Sequence, residues 1–355
     1  MKKLLCPTTL FVLTMLSGQA TAIDTGCKHI LKDSERLACY DQASGRLAPV
    51  SISAPDQADE RAVSEASKEA AKEAQYEKIR QERVGSNMVD RWELDSSKST
   101  GSFLPRAYKP MYVLPLTYTS DINNNPSSPA VNHTATNTGP PLSPWEAEFQ
   151  ISLKAKLWEH PMGLDANLWA GYTQSSRWQV YTPALSRPFR ETNYEPEVMA
   201  VFHTPYEILG WHGRIAGVSL THQSNGRAQP LSRSWNRVIG EIGMEKGDWS
   251  LSLRPWWRIK EAGSADDNPG IENYIGRGEL LLTRVMAHHV VTLRGRHSLK
   301  AGAESRGSAQ LDWAFPIGSG VHGYLQLFSG YGESLIDYNI KQNKLGLGIS
   351  LVEWR

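Results

Sequence analysis

The chain has 355 residues and carries 38 Lys and Arg against 37 Asp and Glu, which gives a formal net charge of +1. This near balance provides no electrostatic argument for a nucleic-acid partner, so no nucleic-acid binding is predicted. Twelve Trp and thirteen Tyr stand against only seven Phe. Amphipathic aromatic residues favour sites with one apolar and one wet side, such as membrane interfaces. A Trp-rich soluble β protein would share this composition, so both classes remain open.

Residues 1–22 predict a secretory signal. A basic start (MKK), the short apolar run LFVLTML at residues 10–16 and the tripeptide ATA at residues 20–22 fit its three parts. We therefore expect an exported protein that matures near Ile23. No later stretch approaches the roughly 20 apolar residues that a transmembrane helix needs. A soluble exported protein or a transmembrane β-barrel remains, because barrel strands are apolar only at alternate positions.

Residues 23–102 are polar and charged, and we predict an N-terminal, mostly helical or disordered extension in the periplasm. Cys27 and Cys39 lie near its start, and an oxidising compartment favours a disulfide between them. A two-cysteine metal site is the alternative, although no further ligands with recognisable spacing lie nearby. The stretch DERAVSEASKEAAKEAQYEKIRQER at residues 59–83 is rich in helix formers and poor in apolar residues, which predicts a solvated helix.

From about Phe103 the pattern changes to short alternating runs separated by Gly, Pro, Asn and Asp clusters. In AEFQISLKAKLW, at residues 147–158, the apolar side chains share one face, and Gln, Ser and Lys occupy the other. The same alternation recurs at residues 248–257 (DWSLSLRPWW) and 343–352 (NKLGLGISLV). Roughly ten to twelve such strands predict an all-β domain over residues 103–355. A barrel wall in lipid and a soluble sheet with one wet face both fit this pattern.

Several common catalytic and metal-binding signatures are absent from the sequence. It has no G-x-S-x-G elbow, no H-E-x-x-H zinc helix, no phosphate-binding G-x-x-x-x-G-K-[ST] loop and no EF-hand loop. The adjacent pair His288 and His289 would point to opposite faces of a strand, so we interpret both as surface or lumen residues rather than metal ligands.

The segment THQSNGRAQPLSRSWNR, at residues 221–237, carries the candidate chemistry. Strand alternation places His222 and Ser224 on one face with Leu220, about 7 Å apart at Cα, within reach of an imidazole–hydroxyl hydrogen bond. The polar turn NGRAQPLS then returns the chain, and Asn236 can reach the far nitrogen of His222 if the two strands form a hairpin. This is a nucleophile, a base and an orienter. Ordinary polar residues near a strand end would give the same spacing.

These residues resemble the active-site segment of the outer membrane phospholipase A family of Gram-negative bacteria. Three further segments, PFRETNYEP (188–196), DDNP (266–269) and SGYGESLIDYN (329–339), are similar to the same family. The resemblance covers residues 103–355 and not the N-terminal region. It implies a twelve-stranded antiparallel transmembrane β-barrel in the outer membrane. It also implies calcium-dependent hydrolysis of the acyl esters of membrane phospholipids by a homodimer.

The resemblance implies a role for each residue of the segment. Ser224 would be the nucleophile, His222 the general base and Asn236 the orienter of the imidazole. The amide of Gly226 would help to stabilise the oxyanion. Asn holds an imidazole in one tautomer without adding a full charge, so it should stabilise an imidazolium less than Asp does.

A calcium site is implied in the same way. The Arg227 carbonyl and the Ser232 side chain would bind Ca²⁺, with Ser186 reaching in from the partner barrel. Asp267 matches an acidic contributor to a second calcium site. Gln229 stands where some members carry the other acid, which puts that second site in doubt.

Three positions concern the implied dimer. Gln174 and Thr192 match polar positions associated with its interface, and Arg177 replaces an aromatic residue, from which we expect altered interface packing. Two alternatives remain from other classes: a passive porin-like or adhesin barrel, and a soluble periplasmic esterase. The sequence does not indicate acyl-position preference, head-group preference or a trigger for dimerisation.

Overall fold

The structure is a computed structural model that describes residues 26–45, 65, 67–68, 87–318 and 321–353. The predicted signal segment lies outside these residues. Most of the predicted charged helix does too, although the three residues described within it are helical. The chain divides into two units, residues 1–74 and 75–355.

The described part of the first unit is a small disulfide-bonded module. A 3₁₀ turn at Gly26–His29 precedes helix α1 (Asp33–Ala43). A disulfide joins Cys27, which is buried, to Cys39. The predicted pairing is therefore confirmed. No helix of the described residues is both long and apolar enough to cross a membrane.

The second unit is a closed antiparallel barrel. Its elements in chain order are α2 (Asn87–Arg91), β1 (Arg106–Ala107), β2 (Met111–Thr119), β3 (Trp145–Glu159), β4 (Ala166–Trp178), β5 (Phe189–His203), β6 (Glu207–Ile208), β7 (Trp211–Ser224), β8 (Ser234–Lys246), β9 (Trp249–Ile259), β10 (Gly278–Met286), β11 (His289–His297), β12 (Gly307–Gly318), β13 (Val321–Gly330) and β14 (Gln342–Val352). Five 3₁₀ turns lie at Ser96–Lys98, Pro161–Gly163, Pro183–Leu185, Ile271–Asn273 and Gly302–Glu304.

Twelve of these strands form the barrel wall, because β1 and β6 are two-residue strands that pair only with β3 and β7. Each strand of the wall pairs with the next wall strand in the chain, including β3 with β4. The last strand, β14, pairs with the first, β2. The ring is thus complete and leaves no open sheet edge. The predicted twelve-stranded all-β barrel is confirmed.

The connections differ in length at the two ends of the barrel. The long ones share one end, called here the long-loop end; they span residues 120–144, 179–188, 225–233, 260–277, 298–306 and 331–341. The described connections at the other end are shorter and span residues 160–165, 204–210, 247–248 and 287–288. Short periplasmic turns and longer extracellular loops are the usual asymmetry of outer-membrane barrels.

The two faces of each strand differ in polarity as the alternation predicts. In β3, Ile151 and Leu153 are 48% and 39% exposed, whereas Ser152 between them and Lys154 after them, on the opposite face, are buried. An apolar outer surface and a polar interior are what a barrel wall in lipid requires. This distinguishes the chain from a soluble sheet, in which the wet face would carry the charges.

The interior is filled by ion pairs. Arg190 binds both Glu146 and Asp337, and Lys344 binds both Glu148 and Glu333. The cavity that remains among these groups measures about 120 Å³. Packed side chains therefore occupy the lumen, which argues against a porin-like channel.

Arg177 corrects one expectation from the sequence. Its side chain points into the lumen, is buried, and donates from Nε to Glu333 Oε2 at 2.8 Å. Successive side chains of a strand point to opposite faces, so Arg177 shares the lumen-facing side of β4 with Thr173. An arginine here therefore joins the interior ion network and does not alter packing on the outer wall.

The segment before β1 also differs from the sequence expectation. Residues 87–102 were assigned to the polar extension, but Val89, Trp92 and Leu94 are buried inside the barrel unit. They pack with Tyr108, Trp169, Met199, Val201 and Ile215. Lys154 places its ammonium 3.3 Å from the centroid of the Trp92 ring and donates to the Arg91 carbonyl. The barrel unit thus begins before residue 103, because a few apolar residues in a charged stretch fill its end.

We expect the substitution Trp92→Ala to destabilise the barrel by about 3–5 kcal/mol, because it leaves a cavity among buried aromatic residues. The free energy of unfolding by guanidinium in detergent micelles measures this effect. Phe103→Ala is the control, since Phe103 is 73% exposed. Equal stability of the two variants would contradict the packing role of the segment.

Candidate active site

The hairpin of β7 and β8 carries the predicted catalytic segment. His222 lies directly opposite Asn236, and Ser224 lies opposite Ser234. Val218 and Leu220, on the same face of β7 as His222, are 47% and 59% exposed. The histidine and serine therefore lie on the outer wall, next to the long-loop end.

His222 and Asn236 are in contact. The Nδ1 of His222 lies 2.8 Å from Oδ1 of Asn236, so the predicted orienter contact is present. Ser224 follows two residues later, at the last position of β7. Within the described residues no hydrogen bond joins its hydroxyl to His222. Such contacts are often long in substrate-free enzymes and shorten when substrate binds.

The loop after Ser224 is held by one buried side chain. Asn225 accepts hydrogen bonds at Oδ1 from the amides of Arg227 and Arg233, at 3.3 and 3.0 Å, and donates from Nδ2 to the Leu231 carbonyl at 2.8 Å. Asn225 therefore joins the two arms of the loop to each other.

Gly226 occupies a position that favours glycine. Its φ is +62°, and a Cβ there would lie 3.1 Å from the ring of Tyr194. Both the left-handed backbone and the close ring disfavour any side chain. The backbone of residue 226 can thus lie close to Ser224.

The oxygen atoms named for calcium are partly brought together. Ser232 donates from Oγ to Oδ2 of Asp267 at 2.6 Å, and Ser234 donates to the same oxygen at 3.3 Å. The other carboxylate oxygen lies 3.0 Å from Nε2 of His133, in the loop 120–144. The described residues contain no group of three or more His, Cys, Asp or Glu able to hold a metal. A site here would depend on hydroxyl and carbonyl oxygens.

Arg227 and Ser186, both named for the calcium site, lie in two different loops of the long-loop end. The Arg227 side chain donates to the Arg190 carbonyl at 2.7 Å. Ser186 lies in the loop 179–188 with a left-handed φ of +60°. No hydrogen bond between described residues joins Ser186 to Arg227 or Ser232.

Glu261 contacts the site and was not predicted. It accepts a hydrogen bond at Oε1 from Nδ2 of Asn236 at 2.7 Å. The register of β8 and β9 pairs Asn236 with Ile259, so residue 261 continues the same outward face two positions later. The register of β8 and β9 would have indicated this contact. A single sequence does not reveal that register, because it does not show which residues of neighbouring strands face each other.

A row of polar side chains lies on the outer wall beside this hairpin. Tyr172 donates to Gln174 at 3.1 Å, Gln174 to Ser176 at 3.4 Å, and the hydroxyls of Ser176 and Thr192 are 3.1 Å apart. They alternate with lumen-facing residues of β4 and β5, and β5 pairs with β7. Gln174 and Thr192, predicted near an interface, thus do face outward.

A family model described as phospholipase A1 matches residues 88–351. The chain belongs to the phospholipase A1 family. The phospholipase A1 of Escherichia coli K12 is 41% identical over 206 residues, which is 58% of this chain and 69% of that relative. The putative phospholipase A1 of Neisseria meningitidis serogroup B is 37% identical over 262 residues, covering 73% of this chain and 68% of that relative.

Solved structures agree with this assignment. Outer membrane phospholipase A from Escherichia coli superposes with a TM-score of 0.63 at 34% identity, covering 75% of this chain and 97% of that one. The Salmonella typhi outer membrane phospholipase dimer with bound calcium superposes with a TM-score of 0.65 at 35% identity, with the same coverage of both chains. This phospholipase is therefore a hydrolase built on a transmembrane barrel of the outer membrane. The family match begins at residue 88, which agrees with the burial of α2 in the barrel unit.

Proposed function

We propose that this phospholipase hydrolyses phospholipid acyl esters through Ser224, His222 and Asn236, with Ca²⁺, as a homodimer. The observation that carries the proposal is the 2.8 Å contact of His222 with Asn236 on the outer wall, with Ser224 two positions later. Lipid acyl chains reach that wall directly, because the neighbouring outward residues Val218 and Leu220 are apolar and exposed.

The proposed reaction is acyl transfer to serine and then to water. Ser224 Oγ attacks the acyl carbonyl carbon while Nε2 of His222 takes the hydroxyl proton. Nδ1–H of His222 donates to Asn236 throughout, which keeps Nε2 free to accept. His222 then protonates the oxygen of the leaving lysophospholipid. A water molecule that His222 deprotonates releases the fatty acid, and the Gly226 amide donates to the carbonyl oxygen in both steps.

The residues present fit calcium by the chemistry of their donors. Arg227 offers a carbonyl oxygen and Ser232 a hydroxyl to the first site. Asp267, which accepts a hydrogen bond from that hydroxyl at 2.6 Å, offers a carboxylate to the second site. Calcium is a hard cation that takes oxygen ligands in flexible geometry. When bound, it would supply positive charge beside the oxygen that becomes negative. Gln229 is neutral, so a second site that relies on an acid at this position has one charged ligand fewer.

Two observations support a homodimer. The row Tyr172, Gln174, Ser176 and Thr192 is polar on a wall that otherwise faces lipid, where polar groups are costly. A second copy of the chain packed there would remove them from lipid. The loop 179–188, which contains Ser186, joins β4 and β5, the two strands that carry this row, so a partner packed there would lie beside Ser186.

The direct test is fatty-acid release from phosphatidylethanolamine vesicles by the purified protein. We expect chelation with EDTA to reduce the rate by about a hundredfold or more, the usual effect of losing oxyanion stabilisation. Added Ca²⁺ should restore the rate, and Mg²⁺ should not, because Mg²⁺ demands a rigid octahedral site. Full activity in EDTA would remove calcium from the proposal.

Ser232→Ala should raise the Ca²⁺ concentration needed for half activity, with Ser329→Ala as its outward-facing control.

A further inference from the structure

The contacts of His222 continue beyond Asn236 to a partly buried acid, Glu261. Asn236 accepts from His222 through Oδ1 and donates through Nδ2 to Oε1 of Glu261, at 2.8 and 2.7 Å. The second carboxylate oxygen of Glu261 is buried and has no hydrogen-bond partner among the described residues. The carboxylate is therefore held at the site mainly through Asn236.

We propose that Glu261 is a positioning residue that fixes the amide of Asn236 and places a negative charge behind it. This inference rests on the proposed function, since it concerns the same serine, histidine and asparagine. It adds a fourth member to that group, from the loop 260–277.

The first part of the argument concerns the orientation of the amide. The oxygen and nitrogen of an Asn amide are nearly equal in size, so packing alone does not choose between its two orientations. A carboxylate can only accept hydrogen bonds, so it selects the NH₂ group of Asn236. The carbonyl oxygen then faces His222, whose Nδ1 must carry a proton. Nε2 is left with its lone pair towards Ser224, which is the tautomer that a general base needs.

The second part concerns charge. The imidazolium formed during attack lies beside a neutral amide, and Glu261 is the carboxylate one hydrogen bond further away. Hydrogen bonds to ionised groups are stronger, and linked hydrogen bonds polarise one another. Asn236 thus transmits part of the stabilisation that a directly bonded Asp would give. Of the charged groups near Glu261, Arg258 is bound to Asp266 at 2.6 Å and to Glu272 at 3.3 Å.

The surroundings of Glu261 are acidic, and its side chain is partly buried. Burial and the neighbouring charge of Asp266 raise the pKa of Glu261 above its ordinary value, and Asp267 acts in the same direction. Arg258 and the hydrogen bond from Asn236 oppose this rise in pKa. As the pH falls through the raised pKa, the carboxylate gains a proton and becomes able to donate. Its selection of the amide orientation is then lost.

The test combines single and paired substitutions. Glu261→Ala should lower kcat by about tenfold, the effect of losing a hydrogen bond to a charged group, and leave KM within about twofold. Glu261→Gln should fall between this variant and wild type. Asn236→Asp alone should be impaired, because two carboxylates would meet at the 2.7 Å contact. Combined with Glu261→Ala it should recover activity, since one carboxylate then bonds His222 directly.

A second measurement reads the histidine itself. Nitrogen NMR of the labelled imidazole should give the Nδ1–H tautomer in wild type and a mixture of tautomers in Glu261→Ala. The matched control is Glu272→Gln, which removes a carboxylate of the same loop that bonds Arg258 and not Asn236; it should keep wild-type kcat within about twofold, as expected for a surface substitution. Heat-dependent gel mobility confirms that each variant is a folded barrel.

Two outcomes would overturn the inference, and they are distinguishable. If Ser224→Ala loses activity while the Glu261 variants match Glu272→Gln and keep one tautomer, only the role of Glu261 fails. If Ser224→Ala keeps its activity, the proposed function fails and the inference with it. Additive effects of Glu261→Ala and Asn236→Asp would likewise overturn the inference, because independent residues give additive effects.

Discussion

Replacement of Ser224 by alanine is expected to lower fatty-acid release from phospholipid vesicles by at least about a thousandfold. The reason is that the acyl–enzyme cannot form without the hydroxyl, while the loop 225–233 and the substrate surface remain intact. Loss of an activated nucleophile removes a whole reaction path rather than one contact. The change is small and lies on the outer wall, so we expect the barrel to fold and migrate on gels as wild type does.

Ser329→Ala is the matched control for this prediction. Ser329 is an exposed serine next to the last position of β13, at the long-loop end, and it contacts Asn343 rather than a histidine. Its replacement should leave release unchanged. Comparable rates for Ser224→Ala and Ser329→Ala would exclude Ser224 as the nucleophile.

The barrel itself was largely predictable from the sequence. A strand in a membrane wall repeats every two residues, so apolar and polar positions separate in the letters alone, as they do around Lys154. The hairpin of β7 and β8 was predictable for the same reason, because one polar loop separates two alternating runs that are adjacent in the chain. The contact of His222 with Asn236 is the clearest example.

The unpredicted features all depend on contacts between distant parts of the chain. Trp92 packs at the barrel end against residues that include Trp169, 77 positions away, and the charged residues around Trp92 gave no sign of this burial. Arg177 donates a hydrogen bond in the lumen to Glu333, which lies 156 residues further along the sequence. His133, in the loop 120–144, contacts Asp267 at a separation of 134 residues. A single sequence records which residues are present but not which ones the closed ring brings together.

The packed interior explains why the candidate reactive groups lie on the outer face of the barrel wall. Buried ion pairs such as Arg190 with Glu146 fill the lumen and leave little space for a lipid. Phospholipid acyl chains occupy the outside of an outer-membrane barrel, so an enzyme acting on them gains by placing its reactive groups there. The cost is that polar side chains such as His222 face a poorly solvating surface. Their mutual hydrogen bonds, from His222 to Asn236 and from Asn236 to Glu261, reduce that cost.

Replacement of His222 by alanine should reduce fatty-acid release about as strongly as Ser224→Ala, because residues that act as one unit lose their function together. Unlike the serine variant, it should be partly rescued by added imidazole, since a free base can enter the space left beside Asn236 and take the proton of Ser224. His212→Ala is the matched control: His212 lies on the same strand β7 at its opposite end, away from Asn236, and its loss should not alter the rate. The rescue is the discriminating measurement, because imidazole can replace a missing proton acceptor but cannot repair a misfolded wall. A His222→Ala barrel that folds, is inactive and does not respond to imidazole would exclude the proposed role of His222 as the base.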